Sequence, residues 1–415
     1  MTTPHAEPAP NPQDFAATDQ CVQCGLCLPH CPTYGETQNE ADSPRGRISL
    51  IQALARGELP ADAPLRTHLD GCLGCRACED ICPSGVPYGQ LIDNARAELR
   101  RRGARHALRD AWMHGFATRR GLRRTLYAGS RWLNRAPGLS RTLRGGPALR
   151  RAHALTARLP AGRLRFDAHA PRTRGAVYLF TGCAAEVFDR ETLHAARRVL
   201  EAFGFEVLTP PAQTCCGALH QHAGDRATAQ RLAQTNCGAF AHDLPLIVTS
   251  SACAVSLHEY GTLIGAPGAA LGARTHEISA FLAARPWPDA LTLRPLAARI
   301  AVHTPCTQRR VLHTPDAAEA LLRHIPQADI IALPGNDRCC GAAGSYMLDH
   351  PDMADALVTP KIRAAGQLAP ALLATTNIGC AMHLARALAA DGQTPEVIHP
   401  VSLLARQLAA PEPRA

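Results

Sequence analysis

Lysine is almost missing from this sequence: Lys361 is the one example, and the rest of its 44 basic residues are arginine. Aromatic residues make up 4% of the chain, so its cores must be built from leucine, alanine and valine. No stretch reaches the roughly 18 apolar residues that a membrane span requires, so a soluble or peripheral protein is expected. The opening MTTPHAEPAPNPQDF has no apolar run and reads as a polar tail rather than a secretory leader. No G-x-G-x-x-G opens a helix after a strand, so no flavin or nicotinamide fold is expected on this chain. No recognition motif accompanies its basic charge, which argues against nucleic acid as a partner.

Cysteine, by contrast, is abundant. Seventeen occur in 415 residues, a length suited to two or three domains. Without a leader, that number points to the reducing cytoplasm, where cysteines ligate metals or carry out redox chemistry instead of forming disulfides. Two runs dominate. CVQCGLCLPHCP supplies Cys21, Cys24, Cys27 and Cys31; CLGCRACEDICP supplies Cys72, Cys75, Cys78 and Cys82. Both read C-x2-C-x2-C-x3-C-P, the spacing of bacterial ferredoxins that hold [4Fe–4S] cubes. Three thiolates at this spacing reach three irons of one cube, and the fourth, before proline, completes the other. The expected sets are therefore Cys21, Cys24, Cys27 and Cys82 for the first cube, and Cys72, Cys75, Cys78 and Cys31 for the second. Structural zinc uses two CxxC pairs and has no role for the third cysteine or the C-P step.

Between the runs, SPRGRISLIQALARGELP predicts a helix. Ser43 is its N-cap, Pro44 stands in the first turn, Ile48, Ile51, Leu54 and Ala55 share a face, and Gly57 ends it. A second helix follows Pro87. Residues 1–95 are thus read as an α-helical ferredoxin domain with two clusters.

Residues 96–174 form an arginine-rich segment. It holds 21 arginines against Glu98, Asp110 and Asp167, a local charge of 21 − 3 = +18 in a chain of net charge +9. It is read either as a solvated helical linker or as a docking surface for an acidic partner or an anionic membrane face.

The remainder is doubled. GAVYLFTGC ends at Cys183 and RIAVHTPC at Cys306; FEVLTP and ADIIALP precede Cys215–Cys216–Gly217 and Cys339–Cys340–Gly341; PLIVTSSAC and ALLATTNIGC end at Cys253 and Cys380. Each half therefore predicts three strands with helices between them, such as one over 189–204 capped by Asp189 with Leu193, Leu200 and Phe203 on one side. The result is a duplicated α/β unit, 175–294 and 295–415, with a mostly parallel sheet and its cysteines at the carboxyl ends of strands. The whole is an α+β multidomain protein. Two matched sets of four cysteines (Cys183, Cys215, Cys216, Cys253 and Cys306, Cys339, Cys340, Cys380) point to metal ligation, by a further iron–sulfur cluster or by zinc. His303 and His383, each three residues from one of these cysteines, are read first as hydrogen-bonded core histidines and second as ligands or proton donors. His220 and His222 are weaker candidates.

The pattern C…CCG…CxxC resembles the cysteine-rich CCG domain of the heterodisulfide reductase-like family, some members of which bind a non-cubane cluster. This chain departs from it, with Ser250 and Asn377 where the first cysteine of each CxxC would stand. A helical ferredoxin followed by two CCG domains, together with CVQCGLCLPHCPTY and SPRGRISLI, resembles the iron–sulfur subunits of bacterial glycolate oxidases (glycolate dehydrogenases). The iron–sulfur subunit of anaerobic glycerol-3-phosphate dehydrogenase shares the architecture, and lactate-utilisation proteins share pieces of it. The resemblance implies FAD on partner subunits that oxidise glycolate, with lactate a second candidate substrate. It also implies a role for this chain in one-electron relay toward a quinone-type acceptor, with peripheral association at the cytoplasmic face of the inner membrane. The chain would then have no catalytic residue of its own. A thiol–disulfide reductase with the CCG cysteines as its active site, and an assembly scaffold, are the competing classes.

Overall fold

The computed structural model describes residues 12–103, 107–118 and 173–409, with a few single positions between 121 and 155. Most of the arginine-rich segment lies outside the described residues.

The amino-terminal domain is helical. Its central helix, Pro44–Ala55, begins as its sequence predicts: the Ser43 hydroxyl accepts the Gly46 N–H at 2.9 Å, and Pro44 takes the first position, where no donor is needed. Ile48, Ile51 and Leu54 are buried on one face. Ala55, expected on that face, is exposed. The buried stripe runs instead through Arg47, Ile51 and Leu54, an i, i+4, i+7 series. Helix Ala63–Asp70 is capped by Asp62. The long helix Tyr88–Arg101 runs past position 95 and packs on Pro44–Ala55, enclosing Leu69, Leu91, Ile92 and Ala95.

Each later half is a four-stranded parallel sheet. In the first, β1 (Ala176–Phe180), β2 (Glu206–Leu208), β3 (Leu246–Val248) and β4 (Thr275–Glu277) lie in the order β2-β1-β3-β4. In the second, β5 (Arg299–His303), β6 (Asp329–Ala332), β7 (Leu372–Thr375) and β8 (Glu396–Ile398) repeat it as β6-β5-β7-β8. Three strands per half were expected. The fourth, β4 or β8, is three residues long and lies against β3 or β7 just before a short helix, Ile278–Ala283 or Pro400–Gln407. Such a strand is too brief to display a period of two.

The helix Arg190–Ala202 is capped by Asp189, whose carboxylate accepts the Thr192 N–H at 3.4 Å. Leu193 is only partly buried; Ala195, Ala196, Val199 and Leu200 form its inner face. These residues join Ile300, Val302, Leu321, Leu322, Val401 and Leu404 of the other half in one continuous core. The halves therefore share an interior. Polar contacts close the same interface: the His399 imidazole donates to the Thr249 carbonyl at 2.8 Å, and Arg406 pairs with Glu191 at 2.7 Å.

The helical domain docks on both halves. Leu73 enters the core of the second, and Phe116, on helix Ala107–Thr118, enters that of the first. Arg310 pairs with Asp80 at 2.7 Å, Arg76 pairs with Glu259, and the Tyr346 hydroxyl donates to the Gly71 carbonyl at 3.1 Å. Several arginines of the basic segment are engaged within the chain. Arg96 is buried and donates to the Leu69 and Cys72 carbonyls at 3.0 and 2.6 Å, Arg101 and Arg102 pair with Glu98, and Arg151 grips Asp355 at 2.7 Å. Among the described residues, no helix is long and apolar enough to cross a membrane.

Candidate metal centres

Cysteines of the two N-terminal runs meet in space. One cleft is lined by Cys21, Cys24 and Cys27 together with Cys78 and Cys82, and no histidine or carboxylate lines it. Burial pushes the Cys78 thiol up, and the charges of Cys75, Cys72, Cys31 and Cys27 add to the shift in that order. Cys82 and Cys78 thus sit with the first three cysteines of the first run, and Cys31 acts on Cys75 and Cys78 of the second. Soft thiolate donors in two tight groups fit iron–sulfur clusters. The loops reach this arrangement through left-handed backbone at Gln23 and Gly25, and at Gly74 and Arg76. The Gly74 N–H and the Tyr88 hydroxyl both donate to Cys72 Sγ, at 3.4 and 3.6 Å.

Arg47 is a member of this site that sequence reasoning missed. It is 1% exposed. It donates to the His68 carbonyl at 2.8 Å and to Thr33 Oγ1 at 3.0 Å, and it lies 3.4 Å from Asp42. Its charge acts on Cys72 and Cys31. The signal was present in the sequence: an arginine falling on the apolar stripe of its helix. Arg45, two residues earlier, faces Cys27 from the surface and donates to the Gln23 carbonyl at 3.1 Å.

In each CCG turn the backbone conformation calls for glycine, and in the second a close approach does so too. Gly217 and Gly341 have φ of +90° and +83°, and a Cβ at Gly341 would stand 2.9 Å from the Ala354 carbonyl oxygen. In return, the Gly217 and Gly341 N–H groups each donate to the first sulfur of their pair, Cys215 or Cys339, at 3.4 Å. The first centre has Cys183 and Cys215 sulfurs 3.3 Å apart. Donation from Cys215 and Cys253 holds the Cys216 thiol well below its ordinary range. Asn236 and Tyr260 fasten this turn by donating to the Cys215 and Cys216 carbonyls at 3.0 and 2.9 Å. The second centre repeats both pairings, with Cys340 and Cys380 at 3.2 Å and Cys306 and Cys339 at 4.0 Å.

His303 is buried beside this second centre, with Nδ1 3.0 Å from Thr375 Oγ1. His383 is turned away, donating from Nε2 to the Ala354 carbonyl at 3.0 Å. His222 reaches Asp93 of the helical domain at 3.1 Å, and buried His220 has no hydrogen-bond partner among the described residues at either ring nitrogen. The second N-terminal cysteine group and the second CCG centre are neighbours: Cys75 and Cys306 pack against one core, and the charge of Cys306 adds to the burial that pushes the Cys75 thiol up.

Two domain families account for these centres. Residues 17–86 match the 4Fe–4S dicluster domain, and residues 177–258 and 300–385 each match the cysteine-rich domain. The chain is therefore an iron–sulfur protein of the dicluster-plus-CCG class. It is 31% identical to the probable glycolate oxidase iron–sulfur subunit of Bacillus subtilis (strain 168), across 92% of both chains. It is 32% identical to the glycolate oxidase iron–sulfur subunit of Escherichia coli (strain K12), over 88% of this chain and 89% of that one. Lactate utilization protein A 1 of Bacillus mycoides (strain KBAB4) is 27% identical over 55% of this chain. The chain belongs to the family of glycolate oxidase iron–sulfur subunits.

Proposed function

We propose that this chain is the electron-relay subunit of a flavin-dependent glycolate-oxidising complex. Cys21, Cys24, Cys27 and Cys82 would hold one [4Fe–4S] cluster, and Cys72, Cys75, Cys78 and Cys31 the other. The observation that supports the reading is that Cys82 lines the cleft of Cys21, Cys24 and Cys27, while the charge of Cys31 acts on Cys75 and Cys78. When bound, such cubes supply one-electron carriage. Oxidation of a 2-hydroxy acid delivers a hydride, so a two-electron flavin acceptor on partner subunits completes the chemistry.

The chain's own residues define a direction. The first cleft is the exposed end, where Cys24 is exposed and Val22 and Leu26 present apolar side chains that are 69% and 54% exposed. Exposed apolar surface beside a redox centre suits a docking face for the flavin subunit. The second group is enclosed and abuts Cys306 of the second repeat. That favours exit through the CCG half toward a quinone-type acceptor at the cytoplasmic face of the inner membrane. Buried Arg47 supplies positive charge beside Cys31 and Cys72, where added electron density would be stabilised.

The test is glycolate-dependent reduction of the clusters, read as bleaching of the broad visible absorbance. The purified chain alone should stay oxidised in glycolate, and the chain with its flavin subunits should bleach. Bleaching of the isolated chain overturns the relay reading. Bleaching of the complex by glycerol-3-phosphate and not by glycolate moves the substrate to a phosphorylated polyol; bleaching by lactate alone moves it to the longer 2-hydroxy acid.

A further inference from the structure

The two CCG turns present different side chains to the helical domain. Six residues past the second cysteine of each pair stand His222 in the first repeat and Tyr346 in the second. His222 is exposed and reaches Asp93 of helix Tyr88–Arg101 at 3.1 Å, a residue outside both cysteine runs. Tyr346 is buried, and its hydroxyl donates at 3.1 Å to the carbonyl of Gly71, the residue before Cys72. Its ring shares one core with Leu73 of the helical domain and with Cys339 and Cys340 of the second repeat. One aromatic side chain therefore spans the seam between the second N-terminal cysteine group and the second CCG turn.

The residue is held in place. Its N–H donates to the Ala343 carbonyl at 2.8 Å, its ring lies against His350 with centroids 4.6 Å apart, and Arg151 donates to the next carbonyl, that of Met347, at 2.6 Å. Burial pushes the phenol up; the Arg47 charge opposes this, and the charges of Cys72 and Cys339 add to it, so the hydroxyl keeps its proton and remains a donor. A hydrogen bond in series with covalent bonds couples two redox centres better than a space of the same length, because tunnelling decays faster through space.

The second repeat also carries a charge suited to receiving an electron. Lys361, the single lysine of the chain, is 2% exposed and donates to the Gly335 carbonyl at 2.7 Å. No carboxylate pairs with it among the described residues, and its charge acts on Cys340. The matching helix of the first repeat, Arg226–Ala239, turns the neutral Asn236 to the Cys215 carbonyl at 3.0 Å. A positive charge in a low-dielectric interior favours the arrival of negative charge.

We propose that Tyr346 is the positioning residue through which electrons leave the second N-terminal cluster, so that the second repeat is the outlet and the first is not. The proposal rests on the relay reading. Each passage moves one electron and oxidises that cluster; no bond forms or breaks, and Tyr346 keeps its proton. The final oxidant is a quinone-type acceptor, which takes two such electrons and two protons from solvent.

The experiment uses the native complex with its flavin subunits. Its clusters are reduced by glycolate in one arm and by dithionite in the other, then mixed with a short-chain benzoquinone. Return of the visible absorbance and the freeze-quenched paramagnetic signal of each cluster are followed. Tyr346→Phe, which cuts the link to Gly71, should slow reoxidation several-fold, and Tyr346→Leu should slow it further. Both clusters should keep their wild-type potentials in Tyr346→Phe, because the hydroxyl bonds a backbone carbonyl and not a sulfur. His222→Leu should reoxidise at the wild-type rate, and so should Asp80→Asn, which removes the partner of Arg310 at the same seam. A wild-type rate in Tyr346→Phe overturns the proposal. So does an equal slowing in His222→Leu or Asp80→Asn, or a shift in potential large enough to account for the slower rate. Wild-type complex that dithionite reduces and glycolate does not counts against the glycolate reading, and the dithionite arm still decides the role of Tyr346.

Discussion

Arg47→Met is the substitution that probes most directly how the helical domain holds its cysteines. The guanidinium is 1% exposed and donates to the His68 carbonyl at 2.8 Å and to Thr33 Oγ1 at 3.0 Å, with Asp42 at 3.4 Å. Removing one partner of a fully buried ion pair costs about 3–5 kcal/mol. Asp42 is 17% exposed and keeps His68 at 3.0 Å, so its share falls at the low end. The Thr33 hydroxyl has alternatives in Cys31 Sγ at 3.3 Å and the Asp42 carbonyl at 3.4 Å. The His68 carbonyl loses a charged donor, worth about 1–3 kcal/mol when buried. Methionine returns part of the loss through packing against Ile51 and Leu69. The sum is a destabilisation of about 3 kcal/mol, large against a typical total of about 5–15 kcal/mol yet compatible with folding. Urea unfolding followed through the iron–sulfur absorbance should show it. The midpoint potential of the second cluster should fall too, because a positive charge beside Cys31 and Cys72 favours the reduced state. Arg47→Lys keeps the charge and loses the fork, so it should recover most of the potential and little of the stability. A change in stability below about 0.5 kcal/mol, or equal potentials in Arg47→Met and wild type, would refute the reasoning.

Cys82→Ser should perturb the paramagnetic signal of the same cluster as Cys24→Ser, and Cys31→Ser that of the cluster held by Cys75; pairing within each run in place of across runs sinks the exchanged assignment. Tyr88→Phe removes the hydroxyl that donates to Cys72 Sγ, and a hydrogen bond worth about 0.5–1.5 kcal/mol corresponds to a drop of roughly 20–60 mV in the second cluster's potential, measurable by redox titration. His399 couples stability to pH. Burial lowers its pKa from 6.5 to about 4, so its neutral ring contributes fully above pH 6.5, and that contribution is lost as pH falls through about 4. The loss is about 1.4 kcal/mol by pH 5.5. His399→Asn keeps an acceptor for the Val401 N–H and should flatten this acid limb in urea titrations at pH 7.5 and 5.5; an identical slope in wild type and variant would count against it.

What could be read along the chain was whatever is encoded within a turn or two of backbone. The C-x2-C-x2-C-x3-C-P runs announce their chemistry by spacing, because a tight loop must deliver three sulfurs to one centre. Ser43, Pro44 and Asp189 mark helix starts because capping involves only the next three residues. The apolar runs of β1, β3, β5 and β7 stand out because parallel strands are buried on both faces. Tertiary structure decided the rest, where the partner lies far away in sequence. Strands β4 and β8 gain their hydrogen bonds from neighbours nearly thirty residues away or closer, and three residues carry no pattern of their own. Arg96 and Arg151 look like surface charge until the Cys72 carbonyl and Asp355 are brought to them. The doubled sequence shows two equal sets of four cysteines, and the folded chain pairs them alike, Cys183 with Cys215 and Cys306 with Cys339, but brings His303 beside Cys340 and Cys380 in the second alone among the described residues. A side chain's chemistry depends on which groups share its low-dielectric surroundings, and packing across distant segments sets that company.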